Sequence, residues 1–302
     1  MSPDTGPVAI FEAAGCRGFV HARSLDGRVE VGHGADDAVV PASAFKVLVA
    51  VEAENRMADG RLDPSRPVRV TAGIRSPGPV GLSLFHDEAE VSTRDLVTLM
   101  LTISDNVATD ALLRMVGLDG IAATAARLGL RRTHVECDLQ ELIDSIARDA
   151  GFADWAALEA WEPRSAPEEA DVQERIRRAA ALRPTAPIRT TARDMTRLLA
   201  LVWTDRAAAP AACERVRFLM ERQVTRDRLA RGFGPGVSVA AKSGAFMGVV
   251  RNEIGVVSFA DGDTYPVAVF TRSQDRAVDE RAVNAAIGEA AAWAVGRLRT
   301  RA

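Results

Sequence analysis

Two lysines stand out in this sequence because Lys46 and Lys242 are the only basic residues among its 38 that are not arginine. Lys46 follows Ser43 by three residues where a loop enters an apolar helical segment, so both side chains can face one side of a helix. A serine hydroxyl needs a nearby base to become a good nucleophile, and a desolvated lysine can lose its proton and act as one. The pair predicts nucleophilic catalysis. The alternative is a capping serine beside a lysine that extends to solvent.

The second lysine opens a Lys-Ser-Gly sequence after an apolar, strand-like run over residues 237–241. A cation and a hydroxyl beside a glycine, which permits close approach, predict that Lys242 and Ser243 bind a substrate carboxylate. A third motif, Ser104 followed by Asp105 and Asn106, lies at a break between two helical segments. Asp105 can cap the second of these helices, so a structural role is the alternative for this motif.

In chain order, the motifs S-x-x-K, S-D-N and K-S-G match the set found in class A β-lactamases and penicillin-binding proteins, with serine replacing threonine in the last. The likeness extends to the apolar helix after Ser43, to residues 92–96 and to residues 190–199. The chain therefore resembles this superfamily of serine β-lactamase-like hydrolases. The resemblance covers most of the chain, apart from an atypical insertion at about residues 140–185.

This resemblance implies catalysis through an acyl-serine intermediate. Ser43 would be the nucleophile, Lys46 the base or proton relay, and Ser104 the proton shuttle to the leaving nitrogen. The backbone N–H groups of Ser43 and Ala245 would form the oxyanion hole. The remaining substrate contacts would be made to an amide by Asn106 and to a carboxylate by Lys242, Ser243 and Arg251. We expect no metal and no cofactor, because the three cysteines and four histidines show no ligand spacing.

The family's deacylation glutamate, which activates the hydrolytic water, is missing from its expected place. Counting from Ser43 puts Leu139 at the glutamate position and Ile143 at the position of a nearby family asparagine. Counting from Ser104 instead moves the glutamate position to Gln140. Neither alignment supplies a carboxylate there.

Three other acidic residues are candidates for this base. Asp138 and Glu141 lie close in sequence, but neighbours one or two positions away point to other faces of a helix or strand. Glu162, in a Trp-Glu-Pro tripeptide like the family's own, lies well past the expected position. Cys137 replaces the arginine that pins this loop in the family, so we expect residues 151–183 to rebuild it.

Losing a general base typically slows a step by about 10²- to 10⁴-fold. The expected function is therefore a serine hydrolase that cleaves an amide, lactam or ester near a carboxylate, with weak β-lactamase activity. A biosynthetic acyltransferase or esterase, in which another acceptor replaces water, is one alternative. A penicillin-binding sensor with little turnover is the other.

The elements that must position these residues follow from local patterning. Strand-like runs at residues 18–23 and 28–31 flank an Asp-Gly turn, and further strands are predicted at 237–241, 249–258 and 264–272. Helical periodicity dominates between them, and a long helix is predicted over residues 279–299. The pattern indicates an α/β (α+β) fold in which an antiparallel sheet, flanked by terminal helices, carries an inserted all-helical lobe. We assign residues 1–40 and 221–302 to the sheet lobe and residues 41–220 to the helical lobe.

The composition of the chain bears on which kinds of partner it can bind. The 302 residues are 47% hydrophobic and 26% charged with a net charge of −3, which is typical of a globular chain and gives no general attraction to nucleic acid or anionic membranes. No apolar run reaches the length of a membrane span, and the first residues lack a basic, apolar leader. We expect a cytoplasmic protein that acts on a small molecule bearing a carboxylate; its oligomeric state is left open.

Overall fold

A five-stranded antiparallel sheet with spatial order β2-β1-β9-β8-β7 forms the centre of the computed structural model, which describes residues 6–71, 73, 75–275 and 279–300. Two smaller two-stranded sheets pair β3 with β4 and β5 with β6. The strands of the described chain are β1 (Cys16–Arg23), β2 (Glu30–His33), β3 (Pro67–Val70), β4 (Ala89–Ser92), β5 (His134–Val135), β6 (Ile188–Arg189), β7 (Ser238–Phe246), β8 (Val250–Ser258) and β9 (Thr264–Ser273).

Most of the helices begin at a residue whose side chain accepts a hydrogen bond from a backbone N–H, as Ser92 and Asp105 do. Such a cap stabilises a helix by about 1 kcal/mol. The α-helices of the described residues are α1 (Pro7–Ala13), α2 (Lys46–Ala58), α3 (Thr93–Thr102), α4 (Asn106–Val116), α5 (Leu118–Arg127), α6 (Leu139–Asp149), α7 (Trp155–Glu159), α8 (Ala166–Arg178), α9 (Ala192–Trp203), α10 (Pro210–Met220) and α11 (Glu280–Arg299).

Helices cover both faces of the central sheet. On one face α1 and α11 pack against β1 and β9, and Phe11 and Ile287 share an apolar cluster with Val267. On the other face α9 packs against β9, where Leu198 belongs to the same cluster as Phe270. The mixed α/β fold with an antiparallel sheet and terminal helices is thus confirmed.

Helix α2 is the centre of the helical part of the chain. Its residues from Lys46 to Glu54 are all buried, and α3, α4, α5 and α10 contact it. A helix that is buried around its whole circumference has neighbours on every side. The start of α2 is therefore held rigidly.

The central insertion is helical, as expected. The short pair β5 and β6 closes its base, and α6, α7 and α8 lie between these strands. The sequence did not predict α1, α10 or the β3–β4 pair, whose two four-residue strands are too far apart in sequence to carry a tight-turn signal. Strand β7 continues to Phe246, so the Lys242 motif lies within a strand and not just after one.

Among the described residues, no helix is both long and apolar enough to span a bilayer. The division into two lobes and the cytoplasmic location stay predictions.

Candidate active site

Ser43 lies on a tight 3-10 turn, Ala42–Phe45, that continues directly into α2. Ala42 has a φ of +46°, a left-handed conformation that costs energy for a residue with a side chain. Strand β7 passes very close to this turn at Gly244. A Cβ atom on Gly244 would lie 2.7 Å from the Pro41 oxygen and 3.0 Å from the Ser43 nitrogen. The glycine of the Lys-Ser-Gly motif therefore permits the approach of the strand to the serine.

Lys46 is fully buried at the first position of α2. Its Nζ donates hydrogen bonds to the Ser104 carbonyl oxygen at 2.7 Å and to Asn106 Oδ1 at 2.8 Å, and lies 3.4 Å from Ser104 Oγ. Burial lowers the pKa of Lys46 to about 7, although the Asp110 and Asp105 carboxylates oppose this shift. Near neutral pH the amine is therefore neutral in a large fraction of molecules.

The Ser104 turn is shaped by its neighbours. Ser104 has a φ of +67°, and Asp105 caps α4 through Ala108 N at 2.9 Å while accepting a bond from Leu82 N at 2.7 Å. Asn106 Nδ2 donates to the Pro77 oxygen at 2.7 Å. The capping alternative for this motif thus holds for Asp105, and Ser104 and Asn106 are left to line the pocket.

Lys242 is fully buried, and its Nζ donates to the Ser243 carbonyl oxygen at 2.9 Å. Burial, followed by the nearby charge of Lys46, holds its pKa well below the ordinary value. Ser243 and Ala245 line the pocket, whereas Lys242 lies behind this wall. In this conformation the Lys242 amine bonds to its own strand beside Ser43, and its predicted carboxylate contact stays a prediction.

Arg228 lies at the pocket wall and is the functional candidate that sequence reasoning missed. It is only 6% exposed, and its Nη1 donates to the Gly244 oxygen at 2.9 Å and the Asn252 oxygen at 2.7 Å. Its guanidinium is thus fixed directly behind the Lys-Ser-Gly segment. No local pattern distinguishes this arginine from the others in the sequence.

Arg251 is not among the pocket-lining residues, which departs from the carboxylate role predicted for it. It lies opposite Ala245 on β8, and its guanidinium donates to Asn284 at 3.3 Å and pairs with Glu280. Both partners belong to α11, which covers the face of the sheet towards which Arg251 points. The carboxylate contact expected of Arg251 stays a prediction.

The insertion supplies an apolar wall. Leu139, Leu142 and Ile143 of α6 line the pocket, and Leu139 and Ile143 are the residues that the count from Ser43 places at the family's glutamate and asparagine. Buried Asp110 holds this helix, because it accepts bonds from Leu139 N at 2.8 Å and from Gln140 N at 3.0 Å. This side of the pocket is therefore hydrocarbon.

The three acids proposed as a substitute base do not line the pocket. Asp138 caps α6 through Glu141 N at 2.9 Å, and the Glu141 carboxylate pairs with Arg148. Glu162 follows the end of α7. Within the described chain, the only acidic side chain that lines the pocket is the exposed Glu159 of α7, which lies three residues before Glu162 and was not predicted.

Together these residues enclose a cavity of about 560 Å³, which is the size of a small-molecule site. Ser43, Ser104, Asn106, Ser243 and Ala245 share it, so the three motifs meet as the sequence predicted, and their roles stay predictions. Among the described residues, no group of three or more histidine, cysteine or acidic side chains is arranged to hold a metal ion.

Comparison with known proteins gives consistent matches along the whole chain. The sequence model of the β-lactamase enzyme family matches residues 8–297. The β-lactamase regulatory protein BlaB of Streptomyces cacaoi is 30% identical, with 94% of each chain covered.

Solved structures give the same fold. A β-lactamase from Sphaerobacter thermophilus has a TM-score of 0.74 at 24% identity, with 95% of this chain and 92% of that one covered. The penicillin-binding protein PBP-A has a TM-score of 0.74 at 19% identity, with 98% and 96% covered.

Proposed function

Because the chain belongs to the β-lactamase enzyme family, we propose that Ser43 is acylated by an amide, a lactam or an ester that carries a nearby carboxylate. The observation that carries this proposal is the pocket itself, which Ser43, Ser104 and Ser243 line together, with the buried amine of Lys46 3.4 Å from Ser104 Oγ. A β-lactam is the most reactive substrate of this class and provides the probe. The activity is that of a serine hydrolase.

In the first step, neutral Lys46 accepts the proton of the Ser43 hydroxyl as Oγ bonds to the substrate carbonyl carbon. The backbone N–H groups of Ser43 and Ala245 stabilise the negative oxygen of the tetrahedral intermediate. When the carbon–nitrogen bond breaks, the leaving nitrogen takes a proton from Ser104 Oγ. Lys46 then returns its proton to Ser104 across the 3.4 Å contact between Nζ and Oγ. The products are an acyl-Ser43 ester and a neutral amine.

The substrate carboxylate would bind at the opposite side of the pocket from α6. Ser243 offers a hydroxyl there, and Arg228 offers a charge that is fixed by two carbonyl acceptors. A guanidinium held in this way loses little side-chain entropy when a ligand binds, which favours recognition of a carboxylate.

Hydrolysis of the ester requires an activated water, and the apolar side chains of Leu139 and Ile143 supply no base for it. We therefore expect fast acylation followed by deacylation about 10²- to 10⁴-fold slower than with a placed base. Weak β-lactamase activity follows.

A second function, covalent sensing of β-lactams, is favoured by two observations. The first is the same apolar wall, which would prolong the acyl-enzyme. The second is the similarity over 94% of the chain to a β-lactamase regulatory protein. A sensor needs the adduct to last, whereas a hydrolase needs it to break down. An acyltransferase would instead pass the acyl group to an added amine or alcohol.

Intact-mass spectrometry after mixing with benzylpenicillin, followed by dilution, separates these functions. An adduct that lasts for hours supports the sensor, and a rapid return to the native mass supports the hydrolase. An adduct that disappears only when an amine is added, with formation of a new amide, supports the acyltransferase. Ser43→Ala is the control and should give no adduct. If the wild-type protein forms no adduct either, acylation by lactams is refuted.

A further inference from the structure

The region of the pocket formed by α6 and α7 has a chemistry that the acylation mechanism does not use. This region, which we call the insertion wall, consists of Leu139, Leu142 and Ile143 of α6 with Trp155 and Glu159 of α7. It joins a large apolar surface to one carboxylate. Within the described residues, the remaining pocket lining carries no other negative charge.

The insertion wall adjoins the part of the pocket that receives the substrate's acyl side. Asn106, the proposed contact for the substrate amide, lies at the first position of α4. Asp110, one turn further along the same helix, binds the first N–H groups of α6. An acyl side chain that leaves the amide next to Asn106 therefore points towards α6 and α7.

The backbone of α7 is held at its first turn. Asp144 of α6 accepts a 2.9 Å bond from Trp155 N, and Asp154 caps the turn through Ala157 N at 2.8 Å. Trp155 and Glu159 are four residues apart, so they lie on the same face of the helix. The indole Nε1 of Trp155 has no hydrogen-bond acceptor among the described residues, and the Glu159 carboxylate has no ion-pair partner among them.

An aromatic ring and a free carboxylate on one face of a short helix suit an apolar group that carries a positive charge. The indole attracts rings and cations through its π face, and the carboxylate attracts an ammonium group. Building on the acylation proposed above, we propose that the insertion wall selects substrates whose acyl side chain is aromatic or apolar and bears a protonated amine. Trp155 is the aromatic platform and Glu159 the charge contact.

Ampicillin and benzylpenicillin test this proposal, because the first differs from the second by one amino group on its phenyl-bearing side chain. At low ionic strength and pH 7, we expect Ser43 to be acylated about fivefold faster by ampicillin, since a partly exposed ion pair contributes at most about 1 kcal/mol. Glu159→Gln should bring this ratio close to one. Glu141→Gln is the matched control, because Glu141 is also exposed and lies outside the pocket; it should leave the ratio unchanged.

A calorimetric titration of the Ser43→Ala protein with both penicillins measures the same preference without covalent chemistry. If the wild-type protein forms no adduct but Ser43→Ala still binds ampicillin more tightly than benzylpenicillin, the proposed acylation is refuted and the selectivity stands. A ratio near one in the wild-type protein, or an equal loss of rate with both penicillins in Glu159→Gln, would refute the selectivity. The latter result would indicate that Glu159 acts on the reacting centre.

Discussion

The amine of Lys46 donates a 2.8 Å hydrogen bond to Oδ1 of Asn106, so the proposed base and the proposed substrate-amide contact share one network. The amide of Asn106 is fixed on its other side by the Pro77 oxygen. Protonation or deprotonation of Lys46 therefore changes the hydrogen bonding of the residue proposed to bind the substrate amide. The same hydrogen bonds thus fix the positions of Lys46 and Asn106.

Acylation should rise with pH through neutrality. Burial lowers the pKa of Lys46 to about 7, and only its neutral form accepts the Ser43 proton. The rate of adduct formation with benzylpenicillin should be about tenfold lower at pH 6 than at pH 8 and level off above that. Mass spectrometry of samples quenched over time gives these rates. A flat profile over this range would contradict the role of Lys46 as base.

Replacing the two lysines by arginine should have unequal effects. Arginine keeps its proton near neutral pH, so Lys46→Arg should lower the acylation rate by about 10²-fold or more. Lys242, a residue of β7, takes no proton in the proposed step, so Lys242→Arg should cost less. Circular dichroism must first show that both variants fold. Equal losses of rate in two folded proteins would mean that Lys46 is not the base.

A carboxylate placed on the insertion wall should restore turnover. Leu139 lines the pocket, and the count from Ser43 assigns it the family's glutamate position, so Leu139→Glu should shorten the lifetime of the acyl-Ser43 adduct by about 10²-fold. Leu139→Gln, which has a similar shape and no charge, is the matched control. The lifetime is measured after excess penicillin is removed. If both variants deacylate at the wild-type rate, the missing base is not what limits hydrolysis.

The two arginines should differ in their importance for substrate binding. Arg228 lines the pocket, whereas Arg251 is paired with Glu280 on α11. Arg228→Gln should raise the benzylpenicillin concentration needed for half-maximal acylation by about tenfold or more, because a charge-assisted bond to a carboxylate contributes about 1.5–3 kcal/mol. Arg251→Gln should change it little. The reverse order would restore Arg251 as the carboxylate contact.

Stability should depend on Glu54, a buried residue of α2 that is not part of the pocket. Burial raises its pKa to about 7, against the opposing charges of Arg215 and Arg94, and its Oε1 has no hydrogen-bond partner among the described residues. In the unfolded chain the same carboxyl ionises near its ordinary value of 4.5. The folded state therefore loses stability as pH rises from about 4.5 to 7.

The variant Glu54→Gln should remove this loss. At pH 8 it should raise the free energy of unfolding by up to about 3 kcal/mol, and below pH 4.5 it should have no comparable effect. Urea unfolding at both pH values measures the difference. Glu214→Gln, a change at an exposed position on α10, is the control. The Arg215 guanidinium, 4.0 Å from Glu54 Oε1, offsets only part of the cost of burial, and a variant that is less stable than wild type at pH 8 would contradict this view.

The sequence predicted the parts of the site that local chemistry determines. Ser43 and Lys46 are separated by one helical turn, and Asp105 is a helix cap, so short-range rules located them. Strand β8 was also predicted from its apolar residues. The position of Arg228 at the pocket was not predicted. This residue precedes β7, and carbonyl groups of two strands hold its guanidinium in place. Such contacts leave no pattern in a single segment.

The insertion illustrates the same limit. Its helical character was predicted, and Leu139 and Ile143, which the count from Ser43 places at the family's glutamate and asparagine, line the pocket. Glu159 was missed because α7 is a five-residue helix whose position depends on Asp144, far from any motif. Long-range packing decides which acidic residue of this segment lines the pocket.

Asp110 connects the insertion to the chemistry in a further way. Its carboxylate is bound to the start of α6 and to the hydroxyl of Ser76, and its charge also raises the pKa of Lys46 against the effect of burial. A displacement of α6 exposes this carboxylate to water, which weakens its influence on the amine. The docking of the insertion therefore adjusts the proton affinity of the base, and an occupant of the insertion wall and the reactivity of the serine are thermodynamically linked.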